Sequence, residues 1–424
     1  MSAGLSASAS HRVWIVNHFA SAPHKSGGGG RHYSMARWLG ARGWTATVIG
    51  STTVHPTGQQ AFSGTRLTRR QVEDGVDCLW IWSNSYVSGS AMRVLGMVVF
   101  AVGVLIPGST RRLGRPDVVI GSTVHLLAAW AGYRLARRHR VPFVFEIRDV
   151  WPETLVDLGA MKESSVAARA IKRLSLFLAR RAAMVISPLP GVGRYLEENG
   201  VPTPFEWIPN GTEVPLVEVG HPAGTAGPGP FTFMYLGSHG RANALDTLLT
   251  AFDRACALLP GTDLSFRLVG SGPEKDALRR SAADLAHGDR IRFEDRIPRA
   301  AVNARAGEAD CLVANLRDRP VYRFGISLNK LYDYFLAARP IILASNAMND
   351  PVSDAGAGTT VAADDADAVA HAMVAMVRAS DDERRLMGER GRAFVTEQYS
   401  YQALAARLAK ALDRVLESSR TSAS

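Results

Sequence analysis

The chain is poor in cysteine, and none of its cysteines belongs to a ligand motif. Cys78, Cys256 and Cys311 are the only three among 424 residues, and they lie too far apart to form a redox or metal-binding pair. This usage is typical of buried thiols in a reducing compartment. No pattern of His, Cys, Asp and Glu has metal-site spacing, so we expect no metal ion. Signatures of zinc fingers, RNA-binding domains and helix-turn-helix motifs are also missing, which argues against nucleic acid as a partner.

The chain also lacks an apolar run of transmembrane length. The longest run, AMRVLGMVVFAVGVLI at residues 91–106, is shorter than the roughly twenty residues of a spanning helix and contains Arg93. Two interpretations stay open. The run is either a buried helix or a helix partly inserted into an anionic membrane surface, which Arg111, Arg112 and Arg115 on one flank would favour.

Charge is distributed unevenly along the chain. Residues 1–213 contain 24 Lys and Arg against 13 Asp and Glu, whereas the remainder contains 25 against 26. The first half therefore carries the whole excess of positive charge. Such a field suits phosphorylated substrates or an anionic membrane surface. An apolar content of 46% and a charged content of 21% are those of a soluble globular protein.

The length and the turn-rich segments predict two domains. Residues 1–10, MSAGLSASAS, are small and polar, so we expect disorder there, followed by a strand rather than by the apolar region of a signal peptide. The first domain covers residues 11–214. A Gly- and Pro-rich linker follows at 215–230, and the second domain covers 231–398. A long amphipathic helix within 399–424 is expected to cross back to the first domain.

Both halves alternate strand and helix patterns, which predicts doubly wound α/β domains. In the first half, a buried strand is followed by the glycine loop Gly28, Gly29 and Gly30, and Arg31 begins a helix. Glycines let a backbone approach a ligand closely, and a helix N-terminus attracts anions. A flexible structural turn is the alternative. The spacing does not fit the dinucleotide fingerprint, and residues 51–77 are predicted to form a polar loop.

A charged cluster follows the strand predicted at residues 141–147. Glu146, Arg148 and Asp149 lie at the carboxyl end of that strand, where ligands of open α/β sheets bind. An internal Arg–Asp salt bridge is the alternative interpretation. In the second half, the strand FTFMYLGS ends near Gly237, and the next strand runs into Gly270-Ser271-Gly272-Pro273.

The second half is organised around residues 321–343, VYRFGISLNKLYDYFLAARPIIL. A strand-like run ends at Gly325, Ser327 is a good helix N-cap, and helical spacing of apolar residues follows. Lys330 falls in the first helical turn, where an anion is normally preferred. It either pairs with Asp333 on the helix surface or, with the free N–H groups of the turn, binds a phosphate.

Eight segments in this order resemble the GT-B glycosyltransferases of family 4 over about residues 12–415. These segments are SGGGGRHYSMARWLGARGWTATVI, VPFVFEIRDVWPE, VISPLPGVGRYLEENG, IPNGTE, MYLGSHGRANALDTLLTAF, LVGSGPEKDALRR, FGISLNKLYDYFLAARPII and FVTEQYSYQALAARL. The RDVWPE and GISLNK segments resemble the WbuB-like subgroup, which builds bacterial surface polysaccharides and includes transferases of N-acetylated amino sugars such as N-acetylfucosamine.

The resemblance implies a GT-B fold, in which two Rossmann-like domains face each other across a cleft. It implies a retaining, metal-independent, hexosyl-type transfer from a nucleotide-sugar to a saccharide or lipid-diphosphate-saccharide acceptor. The nucleotide-sugar is a substrate, so no cofactor is expected. The donor would bind the second domain and the acceptor the first. Together with the basic first half, this implies a cytoplasmic protein at the inner face of the membrane.

The expected roles follow from these motifs. Lys330 and Arg241 would hold the diphosphate, Asp333 would accept from ribose hydroxyls, and Arg148 would complete the catalytic set. Further donor-binding positions are Gly237, Ser271, Gly272, Pro273, Ser327 and Asn329. Acceptor or phosphate binding is expected from Gly28, Gly29, Gly30, Arg31, Glu146, Asp149 and Asn210.

The sequence departs from the family pattern at three places. The family commonly carries two glutamates around the helix that is predicted to begin after Ser327. Here Gly325 and Asp333 occupy their positions. After the first strand of the second domain, Arg241 is kept, but the usual Lys-Gly is Asn243-Ala244. A histidine that often follows the fifth strand of the first domain is replaced, by our strand count, by Arg148.

Two other classes of protein remain open from the sequence. A GT-B-fold epimerase would convert a nucleotide-sugar without an acceptor. A non-catalytic nucleotide-sugar-binding protein would bind the donor but transfer nothing, and the altered glutamate positions permit this.

Overall fold

The computed structural model describes residues 11–23, 30–55, 57–87, 91–123, 125–215 and 229–421. Gly28, Gly29 and most of the predicted linker lie outside these residues. The chain divides into two compact units. Unit 1 contains the residues up to 210 together with those from 401 onward, and unit 2 is Gly211–Ser400.

Unit 1 is built on a mostly parallel sheet of eight strands, ordered β3-β4-β2-β1-β5-β6-β7-β8. Only the β3–β4 pair is antiparallel. The strands are β1 (His11–Val16), β2 (Trp44–Ser51), β3 (Thr68–Glu73), β4 (Val76–Ile81), β5 (Val118–Ser122), β6 (Phe143–Glu146), β7 (Met184–Ser187) and β8 (Phe205–Trp207). The helices that connect them are α1 (Arg31–Leu39), α2 (Ala91–Leu105), α3 (Leu126–His139), α4 (Glu153–Asp157), α5 (Val166–Arg181) and α6 (Val192–Glu198).

Unit 2 has a six-stranded, entirely parallel sheet in the order β11-β10-β9-β12-β13-β14. Its strands are β9 (Phe231–Leu236), β10 (Leu264–Val269), β11 (Ile291–Glu294), β12 (Cys311–Asn315), β13 (Ile341–Ala344) and β14 (Gly358–Val361). Its helices are α7 (Leu245–Leu258), α8 (Lys275–Ala283), α9 (Val302–Ala306), α10 (Asn329–Leu336), α11 (Pro351–Ala355), α12 (Ala366–Arg378) and α13 (Asp381–Gln398).

The last helix, α14 (Tyr401–Thr421), belongs to unit 1 although it follows unit 2 in the chain. Its apolar side, including Leu404, Leu408 and Leu412, joins the core around β1 and β2. Asp413 also accepts a 2.9 Å hydrogen bond from the Trp44 indole. The predicted doubly wound fold and the return of the last helix to the first half are confirmed.

Strands buried on both faces account for the near-continuous apolar runs of the sequence. Residues Val13 to Val16 of β1 are at most 1% exposed. Helices on each side cover the sheets, and several begin at side-chain caps as expected. Ser380 and Glu383, for example, form a complete capping box at the start of α13.

Three local predictions are wrong. Residues 51–77 are not only a loop, because β3 lies within them and pairs with β4. Its sequence, TRRQVE, is polar and partly exposed, so the apolar pattern of a buried strand is missing. The run before Gly325 is a 3-10 helix, Pro320–Phe324. Ser327 does not cap α10, whose N-cap residue is Leu328. The Ser327 hydroxyl instead contacts the Tyr332 hydroxyl at 3.0 Å.

No helix in the described part of the chain is both long enough and apolar enough to cross a membrane.

Candidate functional site

Two neighbouring strands of unit 2 end in loops that are bonded to each other. Gly237, after β9, donates its N–H to Val269 at 3.0 Å, and His239 donates to the Ser271 carbonyl at 2.9 Å. A Cβ on Gly270 would lie 1.9 Å from the Gly237 carbonyl oxygen. A Cβ on Gly272 would lie 2.3 Å from the His239 carbonyl oxygen. Only glycine allows this close approach, which forms a narrow shelf at the carboxyl ends of β9 and β10.

Lys330, in the first turn of α10, reaches this shelf. Its Nζ donates to the Tyr235 hydroxyl at 3.0 Å and to Asn243 Oδ1 at 2.5 Å. It also lies 4.6 Å from the centre of the Tyr235 ring. Among the described residues, no carboxylate forms an ion pair with Lys330, so its charge has only neutral partners.

Burial lowers the pKa of Lys330 to about 7. A nearby anion would favour the charged form and raise that pKa again. An ammonium without a counterion, beside the first turn of an eight-residue helix, therefore suits an anionic ligand.

The loop after β9 contributes the next group. Arg241, Ala242 and Asn243 form one 3-10 turn. The Arg241 side chain is 86% exposed, and its Nε lies 3.3 Å from Glu274. Ala244 adopts φ +42, a left-handed conformation that glycine adopts without strain. The Asn243-Ala244 pair thus keeps the glycine-like backbone, and it supplies an amide acceptor to Lys330.

Asp333 does not pair with Lys330. It lies one helical turn further and binds Arg299 through both carboxylate oxygens, with Arg299 Nη2 at 2.6 Å from Oδ1. Burial raises the pKa of Asp333, and the Arg299 guanidinium opposes that rise. In this geometry the carboxylate is already used by the protein, and its binding to ribose stays a prediction.

His239 is a residue that the sequence interpretation passed over. It is fully buried between the two loops, and its ring nitrogens make no hydrogen bond within the described residues. Burial, with added repulsion from Lys275, Arg279 and Lys330, lowers its pKa to about 4. The His239 side chain is therefore neutral and fills the space between the two loops. Its backbone N–H and carbonyl form hydrogen bonds that join these loops.

The other predicted donor positions surround Lys330 and the shelf. Gly237 lies beside Lys330, because a Cβ there would be 3.5 Å from Lys330 Cε. Asn329 is exposed in the same helical turn, and Pro273 is exposed on the loop after β10. Gly325 is buried with φ +95, so a side chain at this position would be strained.

Unit 1 holds a separate buried cluster at Glu146, the last residue of β6. Its Oε1 accepts from Arg31 Nε at 2.9 Å, and its Oε2 contacts His32 Nε2 and the Ser122 hydroxyl. Burial alone would raise the pKa of Glu146, but His32 and Arg31 hold it well below its usual range. Glu146 is therefore an ionised carboxylate at the carboxyl edge of the sheet.

The Arg31 guanidinium donates its hydrogen bonds to groups of the protein. Besides Glu146, it donates to the Pro209 carbonyl, to the Ile208 carbonyl at 2.7 Å and to Asn210 Oδ1 at 3.4 Å. It thereby joins the start of α1 to the end of β6 and to the turn after β8. The fold thus brings four of the predicted positions to one region: Gly30, Arg31, Glu146 and Asn210. Arg31 holds this region together through its hydrogen bonds.

Arg148 and Asp149 follow β6 and are both partly buried. Within the described residues, no ion pair joins them, so the internal salt bridge of the alternative interpretation is not formed. Burial raises the pKa of Asp149, with Arg148 opposing the rise. Because β3 adds a strand to our count, Arg148 follows the sixth strand rather than the fifth.

The fifth strand, β5, is instead followed by His125. His125 Nε2 lies 2.8 Å from Nδ1 of the buried His18, which follows β1. Burial lowers the pKa of His125 to about 3, with a smaller contribution from Arg93. The strand count that gave Arg148 the position of the histidine is therefore wrong, and the catalytic role of Arg148 stays a prediction. The position of His125 just after a strand was a usable signal.

Comparisons with known proteins agree with this architecture. Residues 26–211 match the model of a glycosyl transferase 4-like domain, and residues 230–379 match glycosyl transferases group 1. A sucrose-phosphate synthase structure from Thermosynechococcus elongatus has a TM-score of 0.69 and 16% identity, covering 96% of this chain and 100% of that one. Anabaena HepE in complex with UDP and glucose has a TM-score of 0.62 and 12% identity, covering 95% and 100%.

Two curated relatives match parts of the chain. The probable glycosyltransferase WbjE of Pseudomonas aeruginosa is 24% identical over 55% of this chain and 58% of its own length. A GDP-mannose-dependent phosphatidylinositol monomannoside mannosyltransferase of Mycolicibacterium smegmatis is 29% identical over 39% and 44%. The chain thus spans about half the length of the curated relatives it matches.

Two α/β units, one on a mostly parallel sheet and one on an entirely parallel sheet, are the two domains of a GT-B protein. The chain belongs to the GT-B glycosyltransferases, with a glycosyl transferase 4-like domain followed by a group 1 domain.

Proposed function

We propose that the protein transfers a sugar from a nucleotide-sugar to a lipid-linked saccharide, with retention of the anomeric configuration. The observation that carries the proposal is the partly buried Lys330 ammonium, whose partners among the described residues are the neutral side chains of Tyr235 and Asn243. A diphosphate placed against the shelf would supply the missing anion.

Leaving-group stabilisation is the chemical task of this site. As the bond between the sugar and the diphosphate breaks, negative charge grows on the diphosphate oxygens. In this proposal Lys330, Arg241 and the N–H groups at the start of α10 stabilise that charge, and such a contribution is often the largest in catalysis. We propose that these groups suffice without a metal ion, so chelation with EDTA should leave turnover unchanged.

Two similar proteins indicate which donors to test. HepE is described with UDP-glucose, and the mycobacterial relative is described as GDP-mannose-dependent. The resemblance to transferases of N-acetylated amino sugars makes UDP-linked N-acetylated sugars the first donors to test. We assign the acceptor to unit 1, at the end of β6, where Glu146, Arg148 and Asp149 lie. We also propose that the reaction belongs to bacterial surface-polysaccharide synthesis.

A peripheral position on the cytoplasmic face of the membrane belongs to the same proposal. The support is the excess of positive charge in residues 1–213, together with the apolar helix α2. Such a surface would bring the enzyme to a lipid-linked acceptor.

The test is a screen of nucleotide-sugars for thermal stabilisation, followed by a transfer assay on lipid-linked saccharides from bacterial membranes. A ligand at a hundred times its Kd adds about 2.7 kcal/mol to stability, which is readily detected. We expect a glycolipid product that keeps the donor's anomeric configuration. Conversion of the nucleotide-sugar without acceptor would identify an epimerase instead, and binding without either reaction would identify a sensor.

A further inference from the structure

One face of helix α2 is exposed to solvent, and this face is apolar and contains no charged side chain. Four residues on its outer side, together with Ile106 just beyond its end, are between 38% and 60% exposed: Val94, Leu95, Val98, Val102 and Ile106. These positions recur at helical spacing and form one stripe. The opposite side, with Phe100 and Val104, is buried in unit 1.

The single charged residue of α2 points away from this stripe. Arg93 is partly buried, and its guanidinium lies 5.4 Å from the ring of Phe19. The interruption seen in the sequence therefore does not interrupt the exposed surface. Such a continuous apolar face is uncommon on a protein that meets only water.

Arginines of α3 lie at the carboxyl-terminal end of the stripe. Residues 91–140 contain eight arginines and a single acidic residue, Asp117. Three of these arginines, at positions 134, 137 and 138, follow each other on one face of α3 and are exposed. No carboxylate in the described part of the chain forms an ion pair with any of the three.

These arginines line a pocket that adjoins α2. The pocket has a volume of about 420 Å³, and its lining residues are Leu105, Tyr133, Arg134, Arg137 and Arg138. Arg138 Nη2 donates to the Leu105 carbonyl at 3.0 Å, which fixes the end of α2 against the arginines. The apolar stripe and the cationic pocket therefore form one continuous surface, which we call the α2–α3 surface.

We propose that the α2–α3 surface docks on an anionic phospholipid bilayer, with a lipid phosphate in the pocket lined by Arg134, Arg137 and Arg138. The α2 stripe would lie in the interface between headgroups and acyl chains. This inference rests on the proposed membrane position and adds the site that produces it.

The charges favour a bilayer over the other possible occupants. A second copy of the chain would bring the same excess of arginine to the interface and be repelled. An acidic protein could pair with the arginines, but it would not need the adjoining uncharged stripe. A bilayer with acidic headgroups offers an apolar layer and phosphates side by side, as the surface requires.

The experiment is flotation of the full-length protein with two kinds of vesicle, pure phosphatidylcholine and phosphatidylcholine mixed with phosphatidylglycerol. We expect the wild type to float only with the anionic vesicles. Each arginine near such a surface contributes about fivefold to partitioning, so Arg134→Gln/Arg137→Gln/Arg138→Gln should weaken binding about a hundredfold. The matched control is Arg280→Gln/Arg292→Gln/Arg378→Gln, which removes three exposed arginines from unit 2 and should float as the wild type does.

A second pair of variants tests the stripe. Val98→Ser/Val102→Ser should reduce flotation at every anionic lipid content. Val72→Ser/Leu258→Ser changes two apolar residues of comparable exposure elsewhere and should have no effect. Equal flotation of the Arg134/Arg137/Arg138 variant and the Arg280/Arg292/Arg378 variant would overturn the proposed docking site.

Two further outcomes separate this inference from its premises. A wild type that does not float but is stabilised by glycerol 3-phosphate would show a small-phosphate site and overturn lipid docking. Thermal stabilisation by the nucleotide-sugar should survive in the Arg134/Arg137/Arg138 variant. If the nucleotide-sugar stabilises neither the wild type nor the variants while the wild type still floats, the result counts against the proposed donor and not against membrane docking.

Discussion

Lys330 and Tyr235, 95 residues apart in sequence, are joined by a 3.0 Å hydrogen bond from the ammonium to the phenol. The bond links the start of α10 to the penultimate residue of β9. Tyr235 is in turn fixed by donating to the Ser238 carbonyl at 2.8 Å. An amine held this way is fixed in position but has no counterion among the described residues, which is the arrangement expected of a diphosphate site.

Donor binding should take up a proton at Lys330. The lysine pKa is lowered to about 7, so at pH 8 roughly nine-tenths of the free protein carries a neutral amine, and a bound diphosphate draws the charged form. Affinity should therefore fall as pH rises above about 7. Titration calorimetry in buffers of different ionisation enthalpy, using the nucleotide-sugar from the screen, measures the uptake.

The control for proton uptake is Lys330→Arg, because a guanidinium stays protonated at these pH values. Any binding that this variant retains should show no linked proton. Equal proton uptake by the wild type and Lys330→Arg would show that another group titrates.

The ion pair between Arg299 and Asp333 should stabilise unit 2. Arg299→Met leaves the Asp333 carboxylate, which is 10% exposed, without its partner. We expect a loss of about 1–2 kcal/mol, since the Arg299 side chain is 54% exposed and water can partly replace it. Urea unfolding measures this loss, and Arg296→Met, an exposed arginine nearby, should change little.

The same pair distinguishes two roles for Asp333. If it only stabilises the fold, Asp333→Asn should lower stability and leave the donor KM unchanged. A rise in KM with Asp333→Asn but not with Arg299→Met would favour contact with ribose.

The sequence indicated the fold because its signals are local. Apolar runs, glycine turns and helical spacing predicted the α/β pattern and the first-turn position of Lys330. The partners could not be predicted. Arg299 and Asp333 are 34 residues apart, and only the packing of α10 brings them together. The strand β3 was missed because its polar, partly exposed residues resemble a loop.

The close approach of the two loops should not tolerate a side chain at Gly272. Its Cβ would lie 2.3 Å from a backbone carbonyl, so Gly272→Ala must displace the shelf. We expect a fall in Tm of several degrees and weaker donor binding. Gly240→Ala is the matched control, because its Cβ would meet only Ser238 Oγ at 3.4 Å. Equal Tm values for the two variants would contradict the described loop packing.

The Glu146 cluster should make unit 1 sensitive to acid. Glu146→Gln leaves the buried Arg31 without its counterion, which costs about 3–5 kcal/mol near neutral pH. Because the folded pKa of Glu146 is lowered, its contribution is present above the unfolded pKa and disappears as pH falls through the folded value. Unfolding measured from pH 7 downward should therefore show the wild type and variant converging.

The control for this comparison is the exposed Glu163, whose change to Gln should leave the pH dependence of the wild type intact. A constant difference between Glu146→Gln and the wild type down to the lowest pH would argue against ionisation as its cause.

Lys330 is expected to stabilise the departing nucleoside diphosphate. The direct measurement is turnover of the nucleotide-sugar with its acceptor by the wild type, Lys330→Ala and Lys330→Arg, with circular dichroism and Tm as checks of folding. We predict that turnover by the folded alanine variant falls at least a hundredfold, with at most partial recovery in the arginine variant. Near-normal turnover by Lys330→Ala would show that Lys330 does not stabilise the leaving group.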